Sequence, residues 1–225
     1  AAIVRRRRER YAARPDLRRR LRRPVISVGN LAVGGRGKTP MAATVARLLL
    51  EMGERPAILS RGYGRRRAPE GVVVVRDPGG IRADLDRAGD EPLMLARQLP
   101  GVSVLVSADR YLAGRLAEHH FGATVHVLDD GFQHLALDRD IEIVLVARED
   151  VARPVTLPFG RLREPLDVII VADAIVTLDD DVEIHDNQAG IPVFRARRET
   201  AAPAGPDASI RPRTGRRRSS TRIRA

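Results

Sequence analysis

One segment constrains this chain more than any other: Ala32-Val33-Gly34-Gly35-Arg36-Gly37-Lys38-Thr39-Pro40, set between a short apolar run and an amphipathic one. Lys38 is the single lysine among forty basic residues, the other thirty-nine being arginine. Arginine is a wide planar fork, whereas lysine is a compact ammonium on a flexible stem that can reach over a glycine loop to a phosphate. Residues 25–28 read as a buried strand and residues 41–52 as an amphipathic helix. Strand, glycine loop and helix together are the context of a Walker A loop, G-x-x-x-x-G-K-[ST], with Ala32 in the first glycine position. Gly34, Gly35 and Gly37 let backbone N–H groups turn toward phosphate oxygens, and the helix N-terminus adds its positive end. On this reading Ala32, Val33, Gly34, Gly35, Arg36 and Gly37 form the cradle. Lys38 contacts the β and γ phosphates of a nucleotide, and the Thr39 hydroxyl ligates Mg2+. The plain alternative is a glycine-rich turn before a helix that holds no nucleotide.

The rest of the chain supplies a matching frame. Short β-branched runs at 57–59, 72–75, 102–106, 125–128 and 141–146 alternate with helix-like segments at 93–99 and 111–120. Continuous apolar strands separated by helices indicate βαβ units, so the expected fold is α/β, a P-loop NTPase-like, mostly parallel sheet with flanking helices. With 225 residues, 43% of them hydrophobic, there is material for one substantial core. The absence of cysteine excludes disulfides and thiolate metal sites. A formal net charge of +11 favours anionic partners. No apolar stretch reaches the ~20 residues of a membrane-spanning helix. The best candidate, residues 168–178, is short and interrupted by Asp173. Three regions are expected: a basic arm over 1–23 with eleven arginines, a P-loop domain over 24–198, and a disordered basic tail over 199–225, poor in large aliphatics.

Acidic groups gather where such a sheet would bind a ligand. The apolar run 125–128 ends in Asp129 and Asp130, as a Walker B strand does, and the carboxyl ends of parallel strands face the ligand crevice. Adjacent strand residues point opposite ways, so both carboxylates reach a metal only if the chain turns, and Gly131 favours a turn. A solvated strand-end turn is the competing reading. Asp90, in Gly89-Asp90-Glu91-Pro92, is either a general base or the first-turn cap of the helix that follows. Arg161-Leu162-Arg163-Glu164-Pro165 is a phosphate clamp or a surface turn, and the five histidines show no metal-ligand spacing.

Five segments in order make a more specific pattern than the glycine loop alone. They are Val28-Gly29-Asn30-Leu31 running into the 34–40 loop, Ser60-Arg61-Gly62-Tyr63-Gly64, Gly89-Asp90-Glu91-Pro92, Asp129-Asp130-Gly131-Phe132-Gln133-His134 and Leu162-Arg163-Glu164-Pro165. Across residues 24–178 the set resembles the tetraacyldisaccharide 4′-kinase family. The resemblance implies ATP-dependent phosphorylation of the 4′-hydroxyl of a tetraacylated glucosamine disaccharide 1-phosphate, a glycolipid, at the cytoplasmic face of the bacterial inner membrane. By position it implies that Asp90 takes the proton of the attacking hydroxyl and that Asp129, Asp130 and Glu164 surround the metal. It also makes Arg163 a phosphate-side group and brings Tyr63 to the nucleotide or substrate. Thr39, Asp130 and Glu164 are then the metal set.

Two departures from the family pattern stand out, and both ends read as cut short. The family's opening apolar or amphipathic helix is represented only by its basic end, whose arginines favour an anionic membrane surface at about 1 kcal/mol each. No specific nucleic-acid partner is expected. The family's C-terminal lobe, which carries a histidine paired with the catalytic Asp, is largely missing, and no histidine follows His185. The rival readings are another P-loop NTPase or small-molecule kinase, and a nucleotide binder without transfer activity. The lack of a guanine-recognition signature favours ATP.

Overall fold

Alternation along the central strands decides the layering. In Pro56–Ser60 (β2), Ala57 and Leu59 face one apolar cluster and Ile58 the other. Val127 and Leu128 divide in the same way in Val125–Asp129 (β6). A strand buried on both faces needs a cover on each. One cover is the helix Lys38–Glu51 (α2), with Asp90–Gln98 (α4) beside it; the other is Arg110–Phe121 (α5). Ala42 and Ala46 of α2 and Ala113 and Ala117 of α5 are fully buried, and these small side chains let helix and sheet backbones approach closely.

These layers belong to a computed structural model, which describes residues 2–34, 37–63, 65, 71–178, 190–200 and 221–224. Before β2 come a helix, Ala2–Ala13 (α1), and the strand Val25–Asn30 (β1). Val73–Asp77 (β3), Gly80–Ile81 (β4), the short helix Leu85–Ala88 (α3) and Ser103–Val106 (β5) lie between β2 and α5. After β6 follow Ile141–Val146 (β7), Arg148–Ala152 (α6), Ala174–Thr177 (β8) and Val193–Arg195 (β9). The nine strands form one sheet in the order β4-β3-β5-β2-β6-β1-β7-β8-β9. β1 sits between β6 and β7, with Val28 opposite Asp129 in the parallel register, so the glycine loop leaves the sheet beside the Asp129 strand end.

Three details differ from the sequence expectation. β3 runs antiparallel to β5, with a register shift between Val74 and Arg76, and the chain then turns back through Asp77-Pro78-Gly79-Gly80 into β4, also antiparallel. The strands β8 and β9 were not foreseen; β8 falls in the apolar stretch 168–178, which forms a 3-10 turn over Leu166–Val171 before entering the sheet. In the tail expected to be disordered, Arg197–Thr200 (β10) pairs antiparallel with Thr221–Arg224 (β11). Backbone bonds organise these two segments despite few apolar side chains, and residues 201–220 and 225 lie outside the described residues. The basic arm is also more than a solvated charge run. Leu21 is buried against α5, and Arg19 exchanges backbone hydrogen bonds with Ala136 and Asp138.

Candidate phosphate-binding site

β1 ends at Asn30, and the chain is then pinned before it turns. Ala32 bridges antiparallel to Leu162, and the Val33 N–H donates to the Arg161 carbonyl at 2.9 Å. Gly34 and Gly37 carry φ of 105° and 75°, a region that L side chains adopt only under strain. At Gly37 a Cβ would in addition sit 2.9 Å from Leu178 Cδ1. Gly35 and Arg36 lie outside the described residues. α2 starts at Lys38, so its unpaired N-terminal amides face the loop.

Lys38 is nearly buried, and its Nζ folds back over the loop. It donates to Asn30 Oδ1 at 3.1 Å and to the Gly34 carbonyl at 3.4 Å, and it pairs with Asp130 Oδ1 at 3.0 Å. The Thr39 hydroxyl donates to Asp129 Oδ1 at 3.3 Å, and the Ser60 hydroxyl to Oδ2 at 3.4 Å. The Walker A threonine and the strand-end aspartate are therefore in contact. Asp130 is the one described non-glycine residue with positive φ, 55°, and the Gly131 N–H bonds back to the Val28 carbonyl. That left-handed residue is the turn that brings two consecutive carboxylates to the same loop.

Arg163 braces the loop from the opposite side. Its N–H donates to the Leu31 carbonyl at 2.7 Å and its Nε to the Ala32 carbonyl at 3.2 Å. Nη1 donates to Gln133 Oε1 at 2.6 Å, while Nη2 reaches Asn30 Oδ1 at 3.4 Å and pairs with Asp130 at 3.5 Å. Glu164 is also close by, but its carboxylate is turned to Arg8, with N–O distances of 2.7 and 3.0 Å. Asp90 is exposed at the first position of α4. The Tyr63 carbonyl packs against Gly89, just ahead of Asp90, with its side chain in solvent.

Electrostatics separate the two aspartates of the strand end. Burial, then the neighbouring charges of Glu91 and Asp130, push the Asp129 carboxyl up to about 7 against the opposing pull of Lys38 and Thr39. A carboxyl poised near neutrality and aimed at a threonine hydroxyl is a ready oxygen ligand for a cation. Among the described residues no group of three His, Cys, Asp or Glu forms a metal cluster. Thr39, Asp129 and Asp130 instead offer hard oxygens, and Mg2+ characteristically takes only one or two carboxylates besides substrate phosphates. On the far side of the strand end, Arg110 is pushed down to about 10 by burial and by Arg61. Burial, with Arg110 and Arg7, holds His134 at about 4, a neutral imidazole at pH 7.

Several residues of the site carried no assigned role in the sequence reading: Asn30, Ser60, Glu91, Arg110, Gln133 and Arg8. Asn30, Ser60, Glu91 and Gln133 sit inside the five segments, which is the signal that could have found them. Arg8 is one arginine in a run and has no sequence signal at all.

The strand, the glycine loop under Lys38 and the Thr39–Asp129 contact define a P-loop NTPase-like α/β protein. The family model for tetraacyldisaccharide-1-P 4′-kinase matches residues 1–222. The tetraacyldisaccharide 4′-kinase of Aquifex aeolicus is 46% identical over 176 residues, covering 78% of this chain and 54% of the relative. The enzyme of the same name from Geobacter metallireducens is 48% identical over 160 residues, covering 70% and 47%. The crystal structure of an "apo" form LpxK from Aquifex aeolicus in complex with ATP superposes with a TM-score of 0.76 at 42% identity, covering 86% of this chain and 60% of that one. The chain belongs to the tetraacyldisaccharide-1-P 4′-kinase family, and it spans about half the length of the curated relatives it matches.

Proposed function

We propose that this protein transfers the γ-phosphoryl group of ATP to the 4′-hydroxyl of a tetraacylated glucosamine disaccharide 1-phosphate, giving ADP and the 4′-phosphorylated glycolipid. The observation that carries the reading is the Thr39–Asp129 contact beside Lys38, in a chain of this family. The amides of the glycine loop at Gly34 and Gly37 and of the start of α2 bind the triphosphate, and Lys38 exchanges its bond to Asp130 for the β and γ oxygens. Asp90, at the mouth of α4, accepts the proton of the 4′-hydroxyl as its oxygen attacks phosphorus and the bond to the β-phosphate oxygen breaks. Arg163 offsets charge on the transferring group. The residues that would hold Mg2+ and let it neutralise phosphate charge are Thr39, Asp129 and Asp130; Glu164, expected in that set from the sequence, is buried and committed to Arg8 and stands outside it.

The proposed place of action is the anionic cytoplasmic face of the bacterial inner membrane. α1 offers exposed Arg5, Arg6, Arg7 and Arg10, and among the described residues no helix is long and apolar enough to cross a bilayer. The test is transfer of 32P from ATP to the disaccharide 1-phosphate lipid in anionic vesicles, with Lys38→Ala as the paired control. Labelled glycolipid from the wild type and none from the variant is the expected result. Nucleotide binding without any labelled lipid would leave a binder and remove the kinase reading.

A further inference from the structure

Glu164 is 1% exposed. A carboxylate taken out of water survives as an anion only with a partner of opposite charge and good geometry. That partner comes from 156 residues away: Arg8 Nε and Nη2 form a two-pronged bond to both carboxylate oxygens at 2.7 and 3.0 Å. The Arg8 guanidinium also lies 4.6 Å over the Phe132 ring. α1 buries no residue of its own, and through Arg8 it grips the sheet domain at Glu164 and Phe132.

The grip continues to the phosphate loop. Gln133 Nε2 bonds the Asn30 carbonyl at 3.0 Å and leans on Glu164 Oε1 at 3.5 Å, while its Oε1 accepts from Arg163. Arg163 and Lys38 then share Asn30 Oδ1. Were Arg8 removed, Arg163, the chain neighbour of the buried Glu164 and already linked to it through Gln133, is a cation placed to answer it. Movement of Arg163 toward Glu164 strips the brace from the Ala32 carbonyl and from Asp130.

We infer that Arg8 is a positioning residue for the phosphate site: by neutralising Glu164 it keeps Arg163 on the loop. The inference rests on the loop binding ATP, and the wild type separates the two, since no binding there defeats the functional reading alone. The experiment is titration with a fluorescent ATP analogue and Mg2+, alongside thermal melting, of the wild type, Arg8→Ala, Arg8→Lys and Arg8→Ala/Glu164→Gln. Arg8→Ala should weaken analogue binding by about tenfold, a size typical of coupling through a contact network. Arg8→Lys keeps the charge, and with it the fold, but loses the second prong, and should weaken binding about threefold. The double variant removes the stranded anion and should return to within about threefold of wild type. A purely structural role would lower the melting temperature of Arg8→Ala and leave the affinity of its folded fraction unchanged, which would overturn the inference. A double variant as weak as the single would overturn it too, and would leave Glu164 as a direct ligand of the metal. If Arg8→Ala does not fold, Arg8→Lys and the double variant decide.

Discussion

Asp129→Asn separates what the site does for folding from what it does for chemistry. The carboxyl sits at about 7, against an ordinary 3.8, mainly because it is buried. A raised folded-state value means that folding favours the protonated form. Its contribution to stability is therefore complete below about pH 4 and disappears as pH rises through about 7. At about 1.4 kcal/mol per pH unit, the distance from 3.8 to about 7 is worth about 4 kcal/mol in the nucleotide-free protein. Part of this is already lost at pH 5, so about 2.5 kcal/mol goes between pH 5 and pH 8. Asparagine keeps the shape, accepts from Thr39 and donates to Ser60, and it cannot ionise. Urea unfolding of wild type and variant at pH 5, 6, 7 and 8, without nucleotide, should show the gap widening in the variant's favour. At about 2 kcal/mol per M of urea, the relative midpoint moves by about 1 M across that range. Saturating ATP and Mg2+ should then stabilise the wild type, by about 2.7 kcal/mol at a hundred times the dissociation constant, and leave the variant unmoved. A difference between the two proteins that stays flat from pH 5 to pH 8 would refute the argument that burial holds this carboxyl protonated.

The remaining expectations concern the two ends of the site. Asp90→Asn should leave binding of the ATP analogue within about twofold and lower the transfer rate by about 10²- to 10⁴-fold, the usual worth of a positioned base; equal loss of binding and turnover would make Asp90 a helix cap instead. Gly29→Ala puts a Cβ 2.5 Å from Phe132 Cβ and 2.7 Å from its backbone nitrogen, in the middle of the sheet. It should cost about 3 kcal/mol in urea unfolding, and an unchanged midpoint would show that β1 and the Phe132 turn can move apart.

Local chemistry was legible in the sequence because it acts over a few residues. A lysine after a glycine run, β-branched runs of four to six residues and a helix-period segment each declare themselves within their own window, and from them came the glycine loop, the central strands, α2, α4, α5 and the strand end at Asp129. Even the need for a turn after Asp129 could be read from Gly131, although the residue that makes it is Asp130, with φ of 55°. The direction of β3 could not be read, since an apolar run looks the same pointing either way and only the length and content of the connection decide.

Partner choice lay entirely beyond the sequence. A chain with thirty-nine arginines offers every carboxylate many candidates, and nothing local marks Arg8 for Glu164 or Arg163 for Asn30. Those pairs exist because the sheet order sets β1 between β6 and β7 and brings residues 8, 30, 133 and 164 to one edge. Burial there makes an unpaired charge too costly to keep, so the fold selects the one arginine whose reach and angle fit. Residue order within a few positions announces a glycine turn under a lone lysine at the head of α2; the packing of distant segments selects which charges hold that turn in place.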